Sequence, residues 1–174
     1  MPELLIDPIL LMTRLVLVAS MFILVRSFAR WPYVHALLCL PATMFHELAH
    51  LLVGILLRAQ PVGFSLLPKR VPGVNGLVTG HVSFANLTWW RALPVATAPL
   101  YLLLPAGLWL VMASLHVDDA GKLLWCFGAL QCFMGAWPSS EDWRLARTTI
   151  YVLLAIAIAL LLGLAYFGTL PLQP

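Results

Sequence analysis

The stretch TMFHELAHLLVGILL, residues 43–57, is an apolar run that carries three ionisable residues, His46, Glu47 and His50. They form an H-E-x-x-H motif, in which two imidazoles hold a zinc ion and the glutamate acts on the water bound to it. Because a helix turns by about 100° per residue, the two histidines lie one turn apart on one face, and their nitrogens can reach a single metal ion. Glu47 points to the side of that position, where it suits proton transfer better than a further ligand bond.

The apolar surroundings of this motif strengthen the metal interpretation. A motif with only three fixed residues also occurs by chance in soluble helices. Ionisable side chains are costly at membrane depth, however, and those found there usually mark a functional site. Three of them between His46 and His50, inside an apolar run, therefore favour a metal site over coincidence.

The composition is that of a membrane protein rather than of a soluble domain. Of the 174 residues, 62% are hydrophobic and 10% are charged, and the mean hydropathy is +0.95. A soluble domain is roughly half apolar and about a quarter charged. The net charge of +3 is small, and the basic residues fall mostly in short connectors, which suits membrane orientation and disfavours nucleic-acid binding. We expect one multi-pass domain over residues 1–174, in contact with the lipid bilayer of a prokaryotic cytoplasmic membrane.

The three cysteines, Cys39, Cys126 and Cys132, all lie in apolar segments. Their odd number and the absence of a C-x-x-C pair argue against a disulfide framework and against a thiolate zinc site. We expect them to be small buried apolar residues, with a free thiol near the site as an open alternative.

Five apolar segments are candidates for transmembrane helices, at about residues 9–25, 34–57, 93–115, 122–137 and 149–170. The predicted fold class is therefore an all-α polytopic bundle of about five transmembrane segments with a small β-hairpin after the second. In the metal-motif helix, Pro41 either loosens the helix for water or substrate or is a tolerated kink. Pro94, Pro99 and Pro105 predict a bent or broken third segment that lines a cavity.

Residues 61–86 predict the β-hairpin. The sequences VGFSLLPK and LVTGHVSFA alternate partly with period two, and they flank a turn cluster formed by Pro72, Gly73, Asn75 and Gly76. This hairpin is too short and too polar to span lipid, so it lies at the surface or in a cavity lined by protein. Two roles of the hairpin remain open. Its edge can bind an extended peptide by strand addition, or the hairpin can be a plain connector between two spans.

The stretch WPSSEDWRLAR, residues 137–147, predicts the third metal ligand. Pro138 ends one helix, Ser139 or Ser140 can cap the next, and Glu141 and Asp142 fall in its first turn. A catalytic zinc commonly takes three protein ligands and one water, and Asp142 is our choice for the third, with Glu141 and His81 as open alternatives. A carboxylate in a first helical turn is also stabilised by the helix dipole and by capping, without any metal.

The lysines and arginines predict the orientation. With five spans, connectors 58–93 and 138–148 share one side of the membrane. That side holds Arg58, Lys69, Arg70, Arg91, Arg144 and Arg147, and the opposite side holds Arg26, Arg30 and Lys122. The hairpin and the third-ligand turn 138–143 are therefore expected on the cytoplasmic side.

A metal motif within a membrane span, a hairpin just after it, a proline-rich third span and an acid at the start of a later segment occur together in this chain. In this it resembles the site-2-protease-like intramembrane zinc metalloproteases over about residues 34–148. Its most specific parts are the H-E-L-A-H motif and Pro138–Trp143, which is similar to the P-S-x-x-D-W form of the family's third-ligand motif. The resemblance implies one zinc ion held by His46, His50 and Asp142, with Glu47 activating the water. It also implies that the substrates are membrane-anchored proteins, cut within or beside the spanning helix, and that the hairpin presents them as an extended strand.

The chain departs from the family pattern at two places. It lacks the Leu-Asp-Gly sequence of many members, and Ala98-Pro99 with Leu102 stands where many members have Gly-Pro-x-x-Asn, so no oxyanion partner is assigned. No insertion is long enough for a regulatory domain, which leaves substrate selection to the bundle or to a regulatory membrane partner. The alternative function is a non-catalytic zinc-binding membrane chaperone or scaffold on the same fold, although such a binder has no need of Glu47 as a base.

Overall fold

The computed structural model describes residues 7–66, 69–70, 77–78, 80–117 and 119–168. The chain is mostly helical and has a small antiparallel sheet. The seven helices and four strands of these residues are α1 Pro8–Ser27, α2 Pro32–Leu38, α3 Leu40–Leu56, β1 Pro61–Ser65, β2 Lys69–Arg70, β3 Leu77–Val78, β4 His81–Phe84, α4 Trp89–Ala96, α5 Ala98–Ala113, α6 Asp119–Ala136 and α7 Ser140–Gly168.

The metal-motif segment is two helices rather than the single helix expected over residues 34–57. Helices α2 and α3 meet at Cys39 and are bent by 55°. Pro41, at the start of α3, has no N–H for the carbonyl of Leu37, and its ring clashes with a continuing helix. The side chain of Gln131 provides one replacement bond, because its Oε1 accepts the N–H of Ala42 at 3.1 Å. The backbone is bent next to Pro41, and this bend is compatible with both interpretations of the proline.

The predicted hairpin is confirmed as an antiparallel pairing of β1 with β4. Pro61 pairs with Phe84 and Ser65 with His81, with an irregularity between Pro61 and Gly63, and β2 pairs with β3 further along the hairpin. The predicted turn cluster at residues 72–76 lies outside the described residues. Strand β4 runs beside α3, and the ring of Phe84 packs against Gly54. The hairpin is therefore held against the metal-motif helix.

The third apolar segment is broken, as its prolines predicted. Helix α4 ends at Ala96, Thr97 forms the junction, and α5 begins at Ala98 with Pro99 in its first turn. Helix α4 also packs against α7, where the Thr149 hydroxyl donates a hydrogen bond to the backbone carbonyl of Trp89. This contact joins the start of α4 to the first part of α7.

Helix α6 is the buried centre of the bundle. It packs against α1, α3 and α5, and the side chains of Cys126, Ala129, Leu130 and Gln131 are at most 1% exposed. Cys132 is also buried and Cys39 is half-buried, and all three cysteines are free thiols. The burial of Cys126 and Cys132 agrees with their expected apolar role, whereas Cys39 is a free thiol that lines the same cavity as His46 and His50.

Within the described ranges, three helical stretches are long and apolar enough to cross a membrane, namely Pro8–Arg30, Trp89–His116 and Ser140–Leu164. The bent pair α2–α3 makes a fourth if it counts as one span. Three or four of the five expected spans are therefore supported by helix length and apolar character among the described residues. The missing one corresponds to α6, which carries polar residues such as Lys122 and Gln131 and is covered by its neighbours. The length and apolar character of these helices are consistent with a membrane protein.

Candidate metal centre

Three side chains from two distant parts of the sequence meet at one point. The Nε2 atoms of His46 and His50 lie 3.1 Å apart. Asp142 Oδ2 lies 3.2 Å from His46 Nε2, and Asp142 Oδ1 lies 3.1 Å from His50 Nε2. Among the residues that the structure describes, this is the group of histidine, cysteine, aspartate and glutamate side chains that can hold a metal ion. The sequence interpretation had named the same three residues.

The backbone fixes which nitrogen of each imidazole faces this point. His46 Nδ1 lies 2.7 Å from the carbonyl oxygen of Gly135, and His50 Nδ1 lies 2.7 Å from that of Val95. A carbonyl oxygen only accepts, so both Nδ1 atoms carry hydrogen and donate. In each neutral ring, Nε2 is then a free acceptor, as a metal-ligating histidine requires.

The donor set fits a divalent metal. Two Nε2 lone pairs and a carboxylate face one another at 3.1–3.2 Å, and neutral rings provide no hydrogen between them. A cation at the centre removes the repulsion between these acceptors. One carboxylate and two imidazoles, without sulfur, are ligands that several divalent metals accept.

Asp142 is held in place by the residue that caps its helix. Ser139 donates both its backbone N–H and its hydroxyl to Asp142 Oδ2, each at 2.7 Å, and Ser139 Oγ accepts the N–H of Asp142 at 3.2 Å. This is a reciprocal capping arrangement, and of the two capping serines that the sequence offered, Ser139 is the one that bonds to Asp142. Capping and metal binding are therefore compatible functions of one carboxylate, because the same bonds aim it at the two imidazoles.

The candidate base Glu47 lies beside the ligand group and is not part of it. It is only 8% exposed, and Gly80, which precedes β4, covers it. A Cβ added at Gly80 would lie 2.7 Å from Glu47 Cγ and 2.9 Å from Thr43 Cγ2. The hairpin therefore forms one wall of the pocket around Glu47.

The two alternative third ligands lie outside the group. Glu141 is exposed and pairs with Arg144 across 2.6 Å, one turn along α7. His81 is exposed on β4. Both line the same cavity as the three converging residues, but neither has a ligand atom within the group.

The three converging side chains, Glu47 and the hairpin all line one cavity of about 610 Å³. Its polar wall contains His46, Glu47, His50 and Asp142. Its apolar wall comes from β4, the connector that follows it, α4, α6 and α7, and includes Val82, Phe84, Leu87, Val95, Met134 and Leu145. A cavity of this size with a few convergent polar groups is typical of a ligand or substrate site.

The chain was also compared with protein families, curated proteins and solved structures, and none of them matched it.

The sequence interpretation missed the backbone groups that orient the imidazoles. Neither Val95 nor Gly135 carries a functional side chain, so no residue-type pattern points to its carbonyl. One signal was present in the sequence: each lies shortly before a proline, Pro99 or Pro138, that disturbs the hydrogen bonding of its helix.

Gly135→Ala is expected to weaken metal binding. A Cβ at this position would lie 2.5 Å from the backbone oxygen of Ala42, so α6 must move away from α3 and take the Gly135 carbonyl with it. We expect zinc affinity to fall by about 10-fold or more, the range found when a partner of a metal-bound histidine is lost. Competition titration with a zinc chelator measures the affinity. Gly128→Ala on the same helix is the control, because its Cβ would make an ordinary 3.5 Å contact with Leu110; equal affinities in the two variants would contradict this reason.

Gly80→Ala is expected to disturb Glu47 and leave the metal in place. Gly80 has φ +72°, a left-handed conformation that strains any residue with a Cβ, and the added methyl would collide with Glu47. Zinc content should match the wild type, whereas any activity that depends on Glu47 should fall by at least about 10-fold. Gly63→Ala in β1 is the matched control, since its Cβ would meet Ser83 at 3.5 Å. Full activity of Gly80→Ala would show that the glycine is not needed there.

Proposed function

We propose that this chain is an intramembrane zinc metalloprotease of the site-2-protease-like family. It hydrolyses peptide bonds of membrane-anchored proteins within or beside their spanning helices. The observation that carries the proposal is the meeting of His46, His50 and Asp142 in a cavity that is also lined by Glu47. Two imidazoles, one carboxylate and an adjacent buried glutamate are the components that a zinc peptidase requires.

The proposed mechanism assigns a separate function to each group. His46 and His50 would hold the zinc ion through Nε2, and Asp142 would hold it through its carboxylate. Bound there, zinc would supply a Lewis acid and a water whose pKa is lowered to about 7. Glu47 accepts a proton from the attacking water as the new C–O bond forms, and it delivers that proton to the amine nitrogen as the C–N bond breaks. A positioned acid–base group of this kind contributes about 10²–10⁴ to the rate.

The apolar wall of the cavity favours a membrane-protein substrate. A peptide bond inside a helix is shielded by its own hydrogen bonds, so the cleaved segment must be extended before it is attacked. Strand β4 is adjacent to the polar wall, and Val82 and Phe84 line the cavity. An extended substrate can pair with such a strand. We propose that the hairpin receives the substrate in this way.

The proposed membrane arrangement uses α6 as a fifth, buried segment among the apolar spans. The hairpin and the Ser139–Asp142 turn then lie towards the cytoplasm, in agreement with the excess of lysine and arginine in connectors 58–93 and 138–148. The common lining of the cavity by β4 and by Ser139 and Asp142 supports their placement on one side.

The test is cleavage by the purified protein in proteoliposomes. Single-span reporter proteins whose spanning helices contain glycine or proline are reconstituted with it, and new N-termini are identified by mass spectrometry. We expect cuts within or next to the spanning helix that a zinc chelator prevents and added zinc restores. Stable, zinc-dependent capture of intact reporters without any new N-terminus would instead favour the non-catalytic scaffold.

A further inference from the structure

The carbonyl that orients His50 lies at a position where a proline removes its helical partner. In a continuous helix, the carbonyl of Val95 would accept the N–H of residue 99. That residue is Pro99, which has no N–H, and the helix is broken at Thr97. The Val95 carbonyl accepts Nδ1–H of His50 instead, at 2.7 Å.

The carbonyl that orients His46 is available for a similar reason. Gly135 lies in the last turn of α6, which ends at Ala136. The nearest donors further along the chain would be the N–H groups of residues 138 and 139. Residue 138 is a proline, and the Ser139 N–H donates to Asp142 at 2.7 Å. The Gly135 carbonyl accepts Nδ1–H of His46 at 2.7 Å.

We propose that Pro99 and Pro138 are positioning residues for the candidate metal centre. Each keeps one backbone carbonyl out of helical hydrogen bonding, and that carbonyl fixes the tautomer and direction of one imidazole. The inference rests on the metal site of the proposed function, and it adds residues that do not touch the metal. It also explains why two unrelated helices are interrupted next to the same cavity. The hydrogen bond from an imidazole to its partner tunes both ring orientation and ligand strength.

The test compares zinc affinity in Pro99 variants of the full-length protein in detergent. Pro99→Ala supplies an N–H that can donate to the Val95 carbonyl and compete with His50. We expect zinc affinity to fall by about 10-fold or more and the visible absorption of the cobalt-loaded protein to change. Pro138→Ala, which allows α6 to continue and reclaim the Gly135 carbonyl, is expected to act in the same direction through His46.

Two controls separate the missing N–H from the loss of the proline ring. Pro99→lactic acid, introduced as a backbone ester, has the same side chain as Pro99→Ala but no N–H at that position. Its affinity and cobalt spectrum should resemble those of the wild type. Pro105 is the next proline along α5, and its replacement by alanine adds no N–H near the carbonyl of Val95 or of Gly135. Pro105→Ala should therefore also bind zinc with the wild-type affinity.

The outcomes distinguish this inference from the proposed function. Wild-type affinity and an unchanged cobalt spectrum in both Pro99→Ala and Pro138→Ala would overturn the positioning proposal while leaving the protease proposal intact. Equal loss in Pro99→Ala and Pro99→lactic acid would also overturn it, because the ring and not the absent N–H would then matter. A wild type that binds zinc but cleaves nothing would refute the protease proposal alone.

Discussion

Asp142→Asn is expected to lower zinc affinity by more than about 100-fold, beyond the range seen for partners outside the ligand shell. The asparagine oxygen can still accept from Ser139, so the helix cap survives, whereas the anionic ligand that faces His46 and His50 is lost. This substitution separates the two functions of the carboxylate. Titration with zinc against a competing chelator gives the affinity, and thermal unfolding of the metal-free protein reports on the cap.

The controls for Asp142 are the residues that the sequence left open as alternatives. Glu141→Gln removes an exposed carboxylate from the same helical turn, and His81→Ala removes an exposed imidazole from the cavity wall. Both variants are expected to bind zinc as the wild type does. If Asp142→Asn kept full affinity while Glu141→Gln or His81→Ala lost it, the third ligand would be reassigned.

Glu47→Gln is expected to abolish measurable cleavage while zinc content and affinity stay at the wild-type level. The amide is close in size to the carboxylate, so the buried pocket under Gly80 stays filled, but it cannot accept the proton of the attacking water. Loss of a general base lowers the rate by about 10²–10⁴. The measurement pairs product quantification in proteoliposomes with metal analysis of the same sample.

A variant of a metal ligand is the control that distinguishes loss of the base from loss of the metal. His50→Ala is expected to lose both zinc and cleavage, whereas Glu47→Gln loses cleavage alone. Undiminished turnover by Glu47→Gln would remove this residue from the mechanism. Loss of zinc in that variant would instead make Glu47 a ligand, contrary to its position outside the converging group.

The three residues His46, His50 and Asp142 could be predicted from sequence because their side chains are of the types that bind metals. The spacing of His46 and His50 puts both rings on one helical face, and few carboxylates were available for the third position. Local hydrogen-bonding rules also predicted a serine cap on the helix of Asp142, but they left it open between Ser139 and Ser140. The structure shows Ser139 in that position.

Tertiary packing decided what the sequence did not reveal. Helix α6 was expected to be one of five spans, but within the described residues it is not among the three or four that length and apolar character support. It packs at the centre of the bundle, where its Gln131 bonds to the first turn of α3 and its Leu130 is buried. Apolar character alone does not distinguish a helix that faces lipid from one that faces other helices. The bend at Cys39 and the carbonyls that hold the imidazoles lie next to prolines that the sequence shows, but the group that meets each freed carbonyl depends on which helices pack together.

The most direct test of the central claim is X-ray absorption at the zinc edge of the purified protein. The account predicts one zinc per chain, with nitrogen and oxygen neighbours at about 2.0–2.1 Å and the scattering pattern of two imidazoles. Asp142→Asn should lose this signal. A protein isolated without zinc after gentle extraction in zinc-containing buffer, or a zinc with sulfur neighbours at about 2.3 Å, would contradict a centre built from His46, His50 and Asp142.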